Sequence, residues 1–105
     1  MGGKNYCTFY IIRHGQTEWN LKKIIQGHKD SPLTEIGIKI AKEHAKKLKN
    51  IKFDAVFSSD TLRAKQTAEI ISLKKDIAVK TTRLLRERSF GRYEGRSLDI
   101  FINEL

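Results

Sequence analysis

An alternation of two residue patterns constrains the fold of this chain more than any other feature. Three short runs rich in β-branched and aromatic residues occupy 6–12 (YCTFYII), 53–57 (FDAVF) and 77–81 (IAVKT). Stretches with helical spacing separate the second run from its neighbours on either side. The first run has apolar residues on both faces, which suits a buried parallel strand. Thr34 is a good N-cap, with Glu35 in the first turn, and Ile36, Ile40, Ala41, Ala45 and Leu48 then recur at helical spacing as far as Asn50. The triplet SSD at 58–60 caps a second amphipathic helix, TLRAKQTAEIISL. Residues 83–97 are charged and contain Gly91 and Gly95, so a long loop is expected there, with a helix starting at Ser97. Strands that alternate with helices imply a parallel sheet with right-handed crossovers. The expected class is α/β, a three-layer α/β/α arrangement with a mostly parallel sheet. A length of 105 residues allows one domain, 1–105, and not two.

In such sheets ligands bind beyond the carboxyl ends of the strands. The segments after residues 12, 57 and 81 should therefore share one crevice. The first brings Arg13, His14 and Gly15, the second Ser58, Ser59, Asp60 and Arg63, and the third Arg83, Arg86, Glu87 and Arg88. Guanidinium forks match phosphate oxygens and stay charged. The helix start near Ser59 and Asp60 adds oriented N–H donors. A neutral histidine is a competent nucleophile toward phosphorus, and cationic neighbours should keep it neutral. A nearby carboxylate can protonate a leaving oxygen and then activate water. Each residue also has an ordinary role open to it. His14 can be a hydrogen-bonded structural histidine, Arg13 a strand end, Arg63 an exposed helix residue, and Glu87 a partner of Arg83 or Arg86. His28 and His44 read as a loop residue and a helix residue.

Charge narrows the partners. Twenty-one Lys and Arg against twelve Asp and Glu give +9, which favours anionic partners. The lysines 39, 42, 46, 47 and 49 fall in a helix-like stretch and read as a solvated face. No nucleic-acid motif, metal-ligand spacing, P-loop or G-x-G-x-x-G occurs, so neither nucleic acid, metal nor cofactor is expected. No apolar run approaches the roughly 18 residues of a membrane span. Cys7 is the only cysteine, excludes an intrachain disulfide, and is expected to be buried and inert. The expected location is the cytoplasm.

Four blocks in order, RHGQTEWN at 13–20, QGHKDSPLTEIG at 26–37, FSSDTLRAKQTA at 57–68 and LRERSFGRYEG at 85–95, resemble the signatures of the histidine phosphatase superfamily, which includes the cofactor-dependent phosphoglycerate mutases. The resemblance implies that His14 takes the phosphoryl group, that Arg13 and Arg63 clamp it, and that Glu87 is the proton donor. Asn20, Gln26 and Gly27 would line the phosphate and substrate side. The implied substrate is a phosphorylated small molecule. Family mutases typically read ERHYG in the last block. Here it reads ERSFGRYEG, which is more similar to the phosphatase and fructose-2,6-bisphosphatase-like branches. A phosphoglycerate mutase or a non-catalytic phospholigand-binding module is the alternative.

Members of the family are about twice this long, and their second catalytic histidine lies in the later half. Neither His28 nor His44 has a matching context. The expectation is an N-terminal half of the family domain with impaired turnover. It would be a fragment, a truncated product, or a chain completed by another copy. Its incomplete sheet should expose an apolar edge that drives self-association.

Overall fold

The computed structural model describes residues 6–99. Its elements are α1 (Glu18–Leu21), α2 (Glu35–Lys47), β1 (Val56–Ser59), α3 (Leu62–Ser72) and β2 (Val79–Thr82). Two 3-10 turns follow, Arg83–Leu85 and Gly91–Tyr93. β1 and β2 pair in parallel, with Val56 opposite Val79 and Ser59 opposite Thr82. α3 makes the crossover and packs on both strands and on α2. The α/β class and the parallel pairing are as the alternation requires. The strands begin two or three residues later than the apolar runs, because pairing starts only where both backbones have come alongside.

Thr34 caps α2 as expected, its Oγ1 accepting from the Gly37 N–H at 3.2 Å. The helix ends at Lys47 rather than Asn50. Lys75 supplies the cap there, its ammonium donating to the Leu48 carbonyl at 2.9 Å and to the Ile51 carbonyl. The Leu48 carbonyl also accepts the Ile51 N–H at 3.0 Å, so the ammonium ties the C-cap to the turn that follows it. Residues 23–25 run beside 95–98, joined by Ile25 N–H to Arg96 O at 2.9 Å and Leu98 N–H to Lys23 O at 2.7 Å. The helix expected from Ser97 lies almost wholly outside the described residues.

Residues 6–12 depart from expectation. They form no strand, and Tyr6, Phe9 and Ile11 are 67%, 79% and 93% exposed. Cys7 is exposed, not buried. The apolar pattern is that of a buried strand, but burial needs neighbours on both sides. Among the described residues the sheet has only β1 and β2, and 6–12 is not joined to it as a third strand. The segment nevertheless lies alongside β1. The Tyr10 ring meets Phe53 edge-on at 5.5 Å, and His14 faces Arg63 just beyond the end of β1. Among the described residues the buried hydrophobic side chains are Ile25, Leu33, Ala41 and Ile71, so the core lies among the loops, α2 and α3.

Gly37 fixes how the loop after residue 12 docks. Thr34 donates its N–H to the Gln16 carbonyl at 3.0 Å, and its hydroxyl donates to Gln16 Oε1 at 2.9 Å. A Cβ on Gly37 would strike the Gln16 carbonyl oxygen, and one on Gly15 would come within 2.9 Å of Gly37 Cα. Alanine at 37 gains up to about 1 kcal/mol in helix propensity. Displacing a packed backbone costs about 1–3 kcal/mol. We therefore expect Gly37→Ala to lower the midpoint of thermal unfolding, by roughly 5 °C for a net loss of about 1 kcal/mol. Circular dichroism melting checks this, and an unchanged or raised midpoint would contradict the close approach.

Candidate active site

The three segments meet as the sheet topology demands. His14 is half-buried, and its Nδ1–H donates to the Gly15 carbonyl at 2.7 Å. A carbonyl can only accept, so in the neutral ring the lone pair lies on Nε2. Burial holds the imidazole below its usual pKa, the Gly15 hydrogen bond opposes that shift, and the positive charges of Arg63 and then Arg13 add to it. The sequence assigned this neutrality to the cationic neighbours; desolvation is the larger cause.

Arg63 stands in the first turn of α3 and is 2% exposed, so it is no surface residue. Its Nη2 donates to the Gly27 carbonyl at 2.6 Å and its Nη1 to the Lys29 carbonyl at 2.9 Å. Asp30 lies 3.5 Å and Glu87 3.7 Å from the guanidinium. Arg63, His14 and Glu87 are thus brought together, with the Glu87 carboxylate half-exposed at the mouth. Arg13 is exposed beside them.

The other residues singled out from sequence hold the frame. Gln26 is buried and its Oε1 accepts from Ser31 Oγ at 2.8 Å. Gly27 has φ of +53°, and a Cβ there would run into the Glu94 carboxylate. Asn20 completes a capping box on α1, with Oδ1 accepting from the Thr17 N–H at 3.0 Å and its own N–H donating to Thr17 Oγ1 at 3.1 Å. Arg86 makes a two-pronged pair with Asp60, at 2.6 and 2.7 Å, which holds the Asp60 carboxyl below the usual range and fastens the loop after β2 to the loop after β1.

Two residues escaped the sequence reading. Glu94 is buried, and its Oε2 accepts from the His28 N–H at 3.0 Å, the Phe90 N–H at 3.0 Å and Ser89 Oγ at 3.1 Å. Led by the His28 N–H, these donors hold its pKa below the usual value against the opposing effect of burial. His28 Nε2 donates to the Glu87 carbonyl at 2.7 Å, so it positions the backbone that carries Glu87. Both contacts span about sixty residues of sequence, and no local pattern announces them. The one available signal was Gly27, a loop glycine whose missing side chain leaves room for a distant group. Among the described residues no group of three or more His, Cys, Asp or Glu is placed to hold a metal ion.

The arrangement is an uncharged imidazole with a free Nε2 lone pair, a buried guanidinium and a carboxylate, all at one sheet edge. It suits transfer of a phosphoryl group to nitrogen. Comparisons with known proteins identify the family. The chain is 47% identical over 93 residues to the fructose-2,6-bisphosphatase TIGAR of Xenopus tropicalis, an alignment covering 84% of this chain and 34% of that protein. It superposes on Bacillus stearothermophilus YhfR with a TM-score of 0.83 and 37% identity, covering 87% of this chain and 45% of that one. For the phosphoglycerate mutase of Bacillus anthracis strain Sterne the TM-score is 0.81 at 35% identity, covering 86% and 41%. The chain therefore spans between a third and a half of the length of these relatives. Residues 9–104 match the family described as histidine phosphatase superfamily (branch 1), and the chain belongs to that superfamily.

Proposed function

We propose that this chain is the phosphoryl-accepting half of a phosphomonoester hydrolase, acting through a phosphohistidine at His14. The observation that carries the proposal is the Nδ1–H hydrogen bond to Gly15, which leaves the Nε2 lone pair free beside the buried Arg63 charge. In the first step Nε2 bonds to phosphorus as the bond to the leaving oxygen breaks. That oxygen takes its proton from Glu87. In the second step water gives a proton to Glu87 and its oxygen to phosphorus, and His14 is released. Arg13 and Arg63 bear the charge that spreads over the equatorial oxygens. Gln26 and Gly27 hold the substrate side through the loop that Arg63 grips, and Asn20 does so from its capped turn. The substrate is a sugar phosphate or another small phosphomonoester, because the half-exposed Glu87 at the mouth of the site leaves room for varied leaving groups. The departure of ERSFGRYEG from the mutase pattern favours hydrolysis over mutase activity. An exposed free thiol at Cys7 fits a reducing cytoplasm, and no helix among the described residues is long and apolar enough to cross a membrane. We read 1–105 as one domain, truncated relative to the family, that self-associates through its exposed apolar segment.

Incubation with a small phosphoryl donor such as acetyl phosphate should give an acid-labile, base-stable phosphoprotein with very slow turnover of p-nitrophenyl phosphate. His14→Ala should abolish the label. Labelling that survives in His14→Ala sinks the assignment, and fast turnover by the 105-residue chain contradicts its being half an enzyme. Vanadate should raise the melting midpoint, and Arg13→Ala, altering an exposed side chain, should reduce that rise without changing the midpoint of the free protein.

The direction of the His14 shift sets a pH dependence. Its folded pKa lies below the ordinary 6.5. Between the two values the unfolded chain binds more protons, so the buried neutral ring costs nothing above pH 6.5 and lowers stability as the pH falls beneath it. Phosphohistidine formation should accordingly hold its rate down to pH 6.5 and decline only below. A titration of the His14 ring by NMR with a midpoint at or above 6.5 would refute the desolvated site.

A further inference from the structure

Glu87 carries the proton in the reading above, yet its carboxylate is tethered loosely. It is half-exposed, and its ion pair with Arg63 is 3.7 Å long, beyond hydrogen-bond length. A side chain held so weakly takes its position from its backbone, and that backbone is fastened at three successive points. Arg86 grips Asp60 with two bonds, at 2.6 and 2.7 Å. Ser89 Oγ and the Phe90 N–H donate to Glu94 Oε2 at 3.1 and 3.0 Å. Between these two, the Glu87 carbonyl accepts from His28 Nε2 at 2.7 Å. This third bond is the one that acts on Glu87 itself. A carbonyl only accepts, so Nε2 of His28 carries a hydrogen.

The mounting of His28 explains how an exposed ring can do this. An exposed hydrogen bond competes with water, and its net contribution is small unless the partners are already in place. Here the carbonyls on either side of His28, those of Gly27 and Lys29, accept from Arg63 at 2.6 and 2.9 Å. The His28 N–H donates to Glu94 Oε2 at 3.0 Å. Three consecutive residues are thus fixed before the ring makes its contact, which removes much of the entropy cost of making it.

Resting on the reading of Glu87 as proton donor, we propose that His28 is a positioning residue for that donor. Its ring ties the Glu87 carbonyl to the loop that Arg63 grips, so one loop sets the guanidinium and the carboxylate relative to each other. The group that would meet the equatorial oxygens and the group that would meet the leaving oxygen then keep one spacing. Transfer depends on that spacing, since a displacement of about 1 Å at a reacting group costs on the order of 10²-fold in rate. His28 acts through Glu87 and touches neither phosphorus nor the leaving group, so its effect should appear only where the leaving oxygen needs a proton.

Two phosphoryl donors separate this role from a general one. Acetate departs from acetyl phosphate without a proton, whereas phenolate leaving phenyl phosphate is helped by one. Alanine at 28 keeps the backbone N–H that Glu94 accepts, so the loop stays anchored. His28→Ala should slow phosphohistidine formation from phenyl phosphate by about tenfold or more, a part of the roughly 10²–10⁴-fold that a placed general acid supplies. The rate from acetyl phosphate should hardly change. His28→Gln, whose side-chain N–H can serve the same carbonyl, should recover much of the loss. In a Glu87→Gln background His28→Ala should have no further effect. An unchanged rate with phenyl phosphate, equal slowing with both donors, or slowing that persists in Glu87→Gln overturns the proposal while sparing the phosphohistidine reading. A chain labelled by neither donor overturns both. Nitrogen NMR of the imidazole tests the placement without any labelling: with the ring neutral, His28 should hold its hydrogen on Nε2. An Nδ1–H tautomer overturns the proposal whether or not His14 is phosphorylated.

Discussion

The buried guanidinium of Arg63 is the contact on which the site depends. A charged group that is 2% exposed must have its N–H donors matched, because an unpaired buried donor or charge costs more than the bond itself contributes. Arg63 meets that demand with backbone carbonyls two residues apart, those of Gly27 and Lys29. The fork of a guanidinium is rigid, so satisfying it dictates the path of the loop between them. The loop cannot relax without exposing the charge to an apolar surround, and α3 cannot rotate without breaking both bonds. A residue suited to holding phosphate thus also sets the shape of the wall the phosphate would meet.

Glu94 closes the same loop from the other side. Its single oxygen collects the N–H groups of His28 and Phe90 and the Ser89 hydroxyl, and Gly27 leaves the space it occupies. His28 then donates to the Glu87 carbonyl. A chain of contacts runs from the α3 guanidinium through residues 27–29 to Glu94 and Glu87. Carboxylates that accept several hydrogen bonds lose them on protonation, so this chain is held most firmly where Glu94 is ionised. The two groups act in concert, one drawing on the carbonyls of the loop and the other on its amides.

How much of this was legible in the sequence depended on the range of the forces involved. The capped helix at Thr34 was legible because a cap and its apolar stripe are local, and so was the arrival of Arg13, His14, Arg63 and Glu87 at one edge, because parallel topology dictates it. The strand starts at Val56 and Val79 were displaced because register is settled between chains of backbone and not within one. The 6–12 segment was misread for a deeper reason. Its composition reports the environment it is suited to, whereas exposure of Phe9, Ile11 and Cys7 reports the neighbours it has among the described residues. The burial of Arg63 and the work of His28 and Glu94 were illegible because each rests on a partner dozens of residues away.

That division explains why the site is better formed than the sheet. Arg63 and Glu87 are held by loop-to-loop bonds and by the Asp60–Arg86 pair, none of which involves residues 6–12. Arg13 and His14, by contrast, follow directly on 6–12, which joins neither β1 nor β2 as a strand. What steadies His14 lies downstream: its own bond to the Gly15 carbonyl, the abutment of Gly15 on Gly37, and the Gln16–Thr34 contacts on the first turn of α2. His14 is thus docked to a helix rather than to the sheet whose edge it crowns. The position of the His14 ring is therefore set from the downstream side, by backbone packing on α2, and its link to the sheet runs only through the step at Arg13.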